Sequence, residues 1–365
     1  MESRDLWLWY ATMVDEKNGV TLTSFDSSIK IEEIYKSDWK TLTEEYGYTN
    51  EQADTIISSK QNAKLEKCKK HMENNGINFV TIEDADYPKR LRIYDDKPKY
   101  LFYRGCLPID YLPTVGMVGA RACTNYGRNI AKSIARELSN NHVQIISGMA
   151  RGIDTYSQLG AIEGETPTFA VLGCGVDVCY PTENIELYEN IIKKGGGIIS
   201  EYAPGAAPLQ WHFPLRNRII SGFSDQIAVI EAREKSGSLI TVEYGLEQGK
   251  DIWAVPGRIG DPLSGGCNRL IKAGAGMLTS GYDILESFRS DIFDISVLEE
   301  GLDRKASTLD EATIKLFRYI DSYPKSINDI CELAEMSPCE LTGRLFELQL
   351  AGLIEEVSKN YYVRC

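Results

Sequence analysis

Histidine is scarce in this sequence, with only three among 365 residues. His71, His142 and His212 show neither metal-ligand spacing nor a clear pairing with a serine or cysteine nucleophile. The nine cysteines also lack the spacing of zinc ligands, and Cys174 and Cys179 are interpreted as packing residues. The sequence therefore predicts no metal site and no catalytic centre of these kinds, and we expect a protein that is not an enzyme.

Several other signatures are missing. No Gly-x-x-x-x-Gly-Lys-Ser/Thr loop occurs, and the turn Gly119–Thr124 does not follow the Gly-x-Gly-x-x-Gly pattern, so no nucleotide or dinucleotide cofactor is expected. No apolar run approaches the roughly 20 residues that a membrane span needs. The first residues lack the basic and apolar regions of a secretory signal. We expect a cytoplasmic protein without membrane contact, whose cysteines are free thiols.

The acidic charge is distributed unevenly along the chain. The net charge is −13, and residues 114–285, with 15 basic and 17 acidic side chains, contribute only −2. Residues 1–113 contribute −4 and residues 286–365 contribute −7. An acidic chain attracts nucleic acid weakly over long distances. A local basic groove is therefore expected only in the middle of the chain.

Changes in pattern divide the chain into three folded segments. The first has helical spacing over Leu6–Met13, Ile31–Tyr46 and Asn50–Asn74, followed by an extended connector around its Pro steps. The last shows three helical periods and two short strands, which outline a winged helix. The predicted divisions are a helical domain (SAM- or helix-hairpin-helix-like) with its connector at residues 1–105, a Rossmann-like domain at 106–290, a linker at 291–306 and a winged helix at 307–365.

The central segment alternates short β-branched runs with helical stretches. Strands are predicted at Thr114–Val118, Val143–Ser147, Thr168–Leu172, Gly197–Glu201, Asp225–Ile230 and Asp251–Val255. Helices are predicted at Tyr126–Ser139, Asp154–Glu163, Glu183–Lys193 and Leu239–Gln248. Continuous apolar strands are typical of a parallel sheet covered on both faces. The pattern predicts the α/β class, with an extended Rossmann-like, doubly wound and mostly parallel sheet.

Glycine-rich or polar turns follow nearly every predicted strand of this sheet. Such turns let a backbone approach a phosphate, and arginines and an aromatic run fall in the same places. The spread of arginines favours an extended ligand with several phosphates. The predicted contact residues are Gly119, Arg121, Ser147, Gly148, Arg151, Gly152, Phe213, Arg216, Asn217, Arg218, Ser236, Gly237, Ser238, Pro256 and Gly257.

Each arginine also has a purely structural alternative. Buried arginines are normally paired, and Glu201, Asp225 and Glu231 are available within the same domain. Glu231, at a strand end, is expected to receive an arginine or backbone amides. Asp154 is predicted to cap the helix that it opens.

A set of motifs runs through the central segment in a fixed order. They include Val118-Gly-Ala-Arg121, Ser147-Gly-Met-Ala-Arg-Gly-Ile-Asp154, Phe213-Pro-Leu-Arg-Asn-Arg-Ile-Ile-Ser221, Ser236-Gly-Ser-Leu-Ile-Thr241 and Ala254-Val-Pro-Gly257. As a set, these motifs resemble the DprA/Smf (DNA-processing) family.

The resemblance implies a homodimer that binds single-stranded DNA, protects incoming DNA in natural transformation and recombination, and loads a RecA-type recombinase. It places the DNA-contacting arginine of the family's first turn at Arg121. Many members carry a lysine after a Tyr-Pro step, whereas Thr182 follows Tyr180-Pro181 here. One phosphate contact is therefore expected to be lost or moved.

The winged helix has the wrong charge for a DNA-reading module. Residues 306–365 hold 6 basic and 10 acidic side chains. The presumed recognition helix, Ser337–Ala351, carries Glu340 and Glu347 against Arg344, and would repel phosphates. We expect it to bind a protein or to have a structural role.

Two other functions remain open on the same fold. Ser236-Gly-Ser-Leu-Ile-Thr-Val-Glu243 partly resembles the motif of nucleotide hydrolases of the lysine-decarboxylase-like (LOG) group, with Glu243 as the residue in question. A sensor that binds a small nucleotide without turnover is the other alternative.

Overall fold

The computed structural model describes residues 3–13, 29–60, 63–291, 311–317, 319–320, 325–334, 336–350, 354–358 and 360–364. The chain divides into two compact units, Met1–Glu286 and Ser287–Cys365. The predicted linker at 291–306 lies outside the described residues, apart from residue 291. Among the helices of the described ranges, none combines the length and the apolar character that a bilayer-spanning segment requires.

The N-terminal part of the first unit is helical. It contains α1 (Ser3–Met13), α2 (Ile31–Lys36), a π-helical turn (Thr41–Glu45), α3 (Asn50–Ser59) and α4 (Ala63–Asn75). The predicted helix Ile31–Tyr46 is interrupted because the backbone is extended at Ser37, whose hydroxyl donates to a carbonyl of α2. The helix predicted at Asn50–Asn74 begins at Asn50 as expected, but it is divided into α3 and α4. Thr49 caps α3 by accepting from the Gln52 backbone N–H in a capping box.

Two strands occupy the region predicted as an extended connector. These are β1 (Asn78–Thr81) and β2 (Tyr100–Gly105), which pair with each other in antiparallel register, and the short helix α5 (Lys89–Arg92) lies between them in the chain. β2 also pairs in antiparallel register with β6 (Gly197–Ser200). The predicted boundary at residue 105 therefore falls inside the sheet. Pro88 and Pro98, which suggested a connector, lie between the two strands rather than in them.

Within the described residues, nine strands form one sheet in the order β1-β2-β6-β5-β4-β3-β7-β8-β9. The remaining members are β3 (Thr114–Val118), β4 (Gln144–Ser147), β5 (Thr168–Val171), β7 (Gln226–Val229), β8 (Asp251–Ala254) and β9 (Gly276–Met277). All pairs from β6 to β9 in this order are parallel. The predicted mostly parallel α/β sheet is confirmed, and the six predicted strands agree to within one residue at each end.

Helices connect and cover these strands. They are α6 (Asn125–Asn140), α7 (Ile153–Ile162), α8 (Ile185–Lys193), α9 (His212–Phe223), α10 (Leu239–Glu247), α11 (Gly265–Lys272) and α12 (Gly281–Asp291). Every residue of β3, β4, β5, β6 and β7 is buried, as a sheet covered on both faces requires. Helix α9 was not predicted from the sequence. It tolerates Pro214 because the proline lies in its first turn, where no backbone N–H has a helical partner.

The second unit has its own small core. Its described elements are α13 (Glu311–Phe317), β10 (Lys325–Ser326), α14 (Ile327–Ala334), α15 (Pro338–Leu350), β11 (Ile354–Ser358) and β12 (Tyr361–Arg364). The strands form an antiparallel sheet in the order β10-β12-β11. Leu316, Ile330, Leu345 and Ile354 pack together in its interior. The three predicted helices and two predicted strands of this segment are therefore present, with β10 as an addition.

Candidate nucleic-acid interface

The turns that carry the predicted site residues lie at one edge of the sheet. β3, β4, β7 and β8 run parallel, so the turns that follow them emerge at the same edge. The chain passes from β3 to β4 on one side and later returns to place β7 on the other side of β3. Open α/β sheets bind ligands at such a change of direction, because the adjoining loops leave a crevice there.

Two glycine turns pack backbone against backbone beside this crevice. Gly152 has a φ of +76°, and a Cβ on it would lie 2.2 Å from the Ala120 carbonyl oxygen. A Cβ on Gly119 would lie 2.7 Å from Cγ1 of Ile153. The Ile153 N–H donates to the Ala120 carbonyl at 3.2 Å. The glycines thus let the turns after β3 and β4 form one continuous backbone surface.

Glu231 holds the start of α6 in place. Its carboxylate accepts from the Thr124 backbone N–H at 2.8 Å and from the Thr124 hydroxyl. Thr124 caps α6 by accepting from the Gly127 N–H at 3.0 Å. The expectation that Glu231 receives a backbone amide is confirmed, and its carboxylate supports the loop.

Asp154 stabilises the turn after β4 by accepting a hydrogen bond from the backbone of that turn. It is the second residue of α7, and its buried carboxylate accepts from the Gly148 N–H at 3.1 Å. Since α7 begins at Ile153, the predicted capping role of Asp154 is wrong. Burial raises the pKa of Asp154, while the nearby Arg216 guanidinium and the backbone amides oppose that rise.

Arg216 and Ser147 are buried beneath the same turn. The Arg216 guanidinium donates to the Gly148 carbonyl at 2.9 Å and to the Val171 carbonyl. Its burial lowers the pKa of Arg216 to about 10. The Ser147 hydroxyl donates to the Met117 carbonyl at 2.6 Å. These two predicted contact residues therefore face the protein interior, because their polar groups are already used to hold the turn.

Arg218 is committed to an internal ion pair. Its guanidinium bonds to the Glu201 carboxylate, and both side chains are only 6% exposed. Burial raises the pKa of Glu201, and Arg218 opposes this rise. The structural alternative thus holds for Arg218, which is not positioned to contact a ligand. Asn217 is half-buried, and its side-chain oxygen accepts from Nε of Arg216 at 3.2 Å.

Arg121 is an exposed arginine of the crevice, and its guanidinium has an aromatic neighbour. It has no carboxylate partner within the part of the chain that the structure describes. Its guanidinium carbon lies 5.4 Å from the ring centroid of Phe213, and that ring lies 5.6 Å from the ring of Tyr180. Trp211, 58% exposed, precedes α9. The crevice therefore presents a cation beside partly exposed aromatic rings.

Arg151 extends the cationic side of the crevice along the turn after β4. Its Nε and Nη2 donate to the two carboxylate oxygens of Glu183 at 2.9 and 3.0 Å. The bonds to Arg151 lower the pKa of Glu183, and the bonds to Glu183 raise the pKa of Arg151. Both side chains are exposed to solvent.

The remaining predicted residues lie further along the sheet edge. The turn of Ser236, Gly237 and Ser238 precedes α10, and the two hydroxyl oxygens are 2.8 Å apart. Pro256 and Gly257 follow β8, where the Gly257 N–H donates to the side-chain oxygen of Asn268 at 3.1 Å. These turns are at the same edge as Arg121 but follow β7 and β8, so they form a flank rather than the centre of the site.

Sequence reasoning missed Tyr180 and Glu183 as parts of this site. Both lie near the Tyr180-Pro181-Thr182 step, where the sequence indicates only the absence of a lysine. The ring contact of Tyr180 with Phe213 joins residues 33 positions apart in the chain, and the pairing of Glu183 with Arg151 joins residues 32 positions apart. No local pattern encodes such distant contacts.

The fold and this edge together define a class of protein. An open, mostly parallel sheet with glycine turns, an exposed arginine and aromatic rings at its change of direction is a Rossmann-like module for phosphate-bearing ligands. The family model for DNA recombination-mediator protein A matches residues 78–289. The chain belongs to this family, also known by the names DprA and Smf, and the resemblance noted in the sequence is confirmed.

Named relatives support this membership. DNA processing protein DprA of Streptococcus pneumoniae is 44% identical over 210 residues, covering 58% of this chain and 73% of the relative. Protein Smf of Escherichia coli is 32% identical over 320 residues, covering 86% of this chain and 84% of the relative.

Solved structures agree. The X-ray structure of the S. pneumoniae protein has a TM-score of 0.64 and 33% identity, covering 78% of this chain and 98% of that one. A structure of DNA processing protein A of Helicobacter pylori, which describes its single-stranded-DNA binding mode, is also similar. It has a TM-score of 0.52 and 29% identity, and the match covers 59% of this chain and 97% of that one.

Proposed function

We propose that this protein binds single-stranded DNA at the crevice formed by the turns after β3 and β4 and the start of α9. The observation that carries the proposal is the exposed guanidinium of Arg121, which has no carboxylate partner in the described residues and lies over the ring of Phe213. A guanidinium in this setting forms charge-assisted hydrogen bonds with a phosphate. The H. pylori relative, which binds single-stranded DNA, supports the assignment.

The aromatic rings favour single strands over a duplex. A base can stack on Phe213 or Tyr180 only if the face of the base is exposed. In a duplex the base faces are covered by the neighbouring base pairs, so this stacking requires a single strand. The backbone surface formed by Gly119 and Gly152 allows the sugar-phosphate chain to approach closely. Arg121 then contributes a phosphate contact, and the rings contribute stacking that tolerates any base.

We propose further roles from membership in the family. They are the protection of incoming DNA during transformation and recombination, the loading of a RecA-type recombinase, action in the cytoplasm and assembly into a homodimer. We also propose that the second unit is a winged helix, preceded by the linker at residues 291–306. Sedimentation of the purified protein tests the dimer, and a pull-down with a purified RecA-type recombinase tests that partner.

Replacement of Arg121 tests DNA binding directly. Arg121→Ala removes a charge-assisted contact, so affinity for an oligothymidylate should fall by about 1.5–3 kcal/mol. The slope of log affinity against log salt should also become shallower by about 0.7. Arg136→Ala, an exposed position of α6 away from the crevice, is the matched control. Equal affinities of the two variants would reject the site.

Neither alternative function gains support from the geometry. Glu243, on which the hydrolase alternative depends, is an exposed residue of α10. Catalysis on a nucleotide would need this carboxylate in a cleft that shields the reacting bond. Competition binding separates the sensor from the DNA-binding protein. Displacement of the oligonucleotide by micromolar mononucleotide would favour the sensor, and no displacement is expected.

A further inference from the structure

Arg151 is held by a carboxylate in the geometry that a phosphate would use. Its Nε and Nη2 form two parallel hydrogen bonds with Glu183, the arrangement in which arginine also binds phosphate oxygens. The side chains of Arg151 and Glu183 are 61% and 55% exposed, so a DNA phosphate can reach the same donors from solvent.

The carboxylate is presented by an anchored turn. Glu183 is the central residue of a 3-10 turn, Thr182–Asn184, and the next residue, Asn184, is buried. The Asn184 amide donates to the Met149 carbonyl at 2.9 Å and to the Thr155 hydroxyl at 2.9 Å. These bonds fix the turn against the one that carries Arg151. When Arg151 pairs with Glu183, the two turns are already fixed, so less conformational entropy is lost than when two surface residues on independent segments pair.

We propose that Glu183 acts as an internal competitor for DNA phosphate at Arg151, and so sets the affinity and the salt dependence of binding. The inference rests on the proposed function, because it concerns the same crevice. DNA must exchange the Glu183 carboxylate for a phosphate before Arg151 contributes. Arg121, which has no paired carboxylate among the described residues, is then the primary contact, and Arg151 is a conditional one.

The exchange has a consequence for counterions. An unpaired arginine that binds a phosphate allows condensed cations to leave the DNA, which makes binding salt-dependent. When the arginine must first leave a carboxylate in order to bind the phosphate, the freed carboxylate attracts a cation from solution. This uptake offsets the cation that the DNA releases. The contact at Arg151 therefore contributes little to the salt slope of the wild-type protein, and it contributes fully once the carboxylate is neutral.

Glu183→Gln tests the competition, with Glu186→Gln as the matched control. Glu186 is exposed three positions further along, so its replacement removes the same formal charge without freeing an arginine. With oligothymidylate as the probe, Glu183→Gln should bind about two- to fivefold more tightly than Glu186→Gln, as expected for the loss of an exposed ion pair. Its salt slope should be steeper than that of the control by about 0.7.

A double-variant cycle completes the test. In an Arg151→Ala background, Glu183→Gln and Glu186→Gln should have equal effects, since no arginine is left to free. Equal effects of the two glutamine variants in the wild-type background overturn this inference alone, provided that the wild-type protein binds DNA and Arg121→Ala weakens binding. A wild-type protein that does not bind the oligonucleotide overturns the proposed function, and this inference with it.

Discussion

Four arginines that look alike in the sequence have four different environments. Arg121 faces solvent, Arg151 is paired at the surface, Arg216 is buried under a turn and Arg218 is buried in an ion pair. The sequence predicted that these residues lie at one edge of the sheet, because Arg121 and Arg151 follow predicted strands and Arg216 and Arg218 follow an aromatic run. It could not distinguish ligand contacts from supporting residues, since Arg218 lies within α9 whereas its partner Glu201 follows β6.

Removal of Arg218 should destabilise the protein without acting through DNA. Arg218→Ala leaves the Glu201 carboxylate buried and unpaired, and should lower the free energy of unfolding by about 3–5 kcal/mol. Urea denaturation followed by circular dichroism measures this change. The exposed variant Arg136→Ala should stay within about 0.5 kcal/mol of the wild type.

Replacing both Glu201 and Arg218 distinguishes the effect of an unpaired charge from the effect of lost side-chain packing. The double variant Glu201→Leu with Arg218→Met removes both charges at similar volume, and should recover most of the stability lost in Arg218→Ala. A double variant as unstable as the single one would show that the ion pair is not the source of the effect.

Gly152 tests the backbone contact between the two turns. Gly152→Ala requires a side chain at a φ of +76° and a Cβ 2.2 Å from the Ala120 carbonyl oxygen. The variant should lose about 1–3 kcal/mol of stability, measured by thermal unfolding, and should bind DNA more weakly because the turns separate. Gly237→Ala is the control for the stability measurement, since its Cβ would meet nothing within 4 Å. An unchanged unfolding temperature for Gly152→Ala would contradict the close approach.

At the scale of elements, the sequence predicted the parallel strands well and the flanking elements poorly. Strands such as β3 and β5 are short, mainly apolar runs bounded by turns, so their pattern is local and clear. β1 and β2 were missed because Pro88 and Pro98, in the segment that joins them, suggested an extended connector. Helix α9 was missed because Trp211-His-Phe-Pro214 suggests an exposed aromatic run, whereas a proline is compatible with a first helical turn.

We expect the start of α9 to act on DNA through stacking rather than through charge. Phe213→Ala should weaken oligothymidylate binding by about 1–3 kcal/mol, the loss of roughly one stacked base. Its salt slope should equal that of the wild type, because no cation is removed, whereas Arg121→Ala changes both affinity and slope. Salt titrations of the two variants measure the difference. A shallower salt slope for Phe213→Ala would mean that the ring acts by positioning the Arg121 guanidinium, which lies over it.

At the scale of the whole molecule, the acidic charge is concentrated outside the segment that holds the crevice. The segment that holds the crevice is nearly neutral, while residues 286–365 carry a net charge of −7. In α15, Glu340, Phe346 and Glu347 are exposed, and Arg344 donates to the Thr313 hydroxyl at 2.9 Å. The surface that a winged helix would direct to DNA is thus acidic and partly apolar, which suits a protein partner better than a phosphate backbone.

Removal of the second unit should therefore leave DNA affinity nearly unchanged. A fragment ending at Asp291 retains the crevice and its supporting ion pair, and the net charge it loses is repulsive to DNA. We expect its affinity for an oligothymidylate to stay within about threefold of the full chain at 0.15 M salt, because salt at this concentration screens much of the repulsion between exposed charges and the DNA. At lower salt the fragment should bind more tightly than the full chain, since the repulsion is then less screened. A large loss of affinity at either salt concentration would instead assign the second unit a direct contact with DNA.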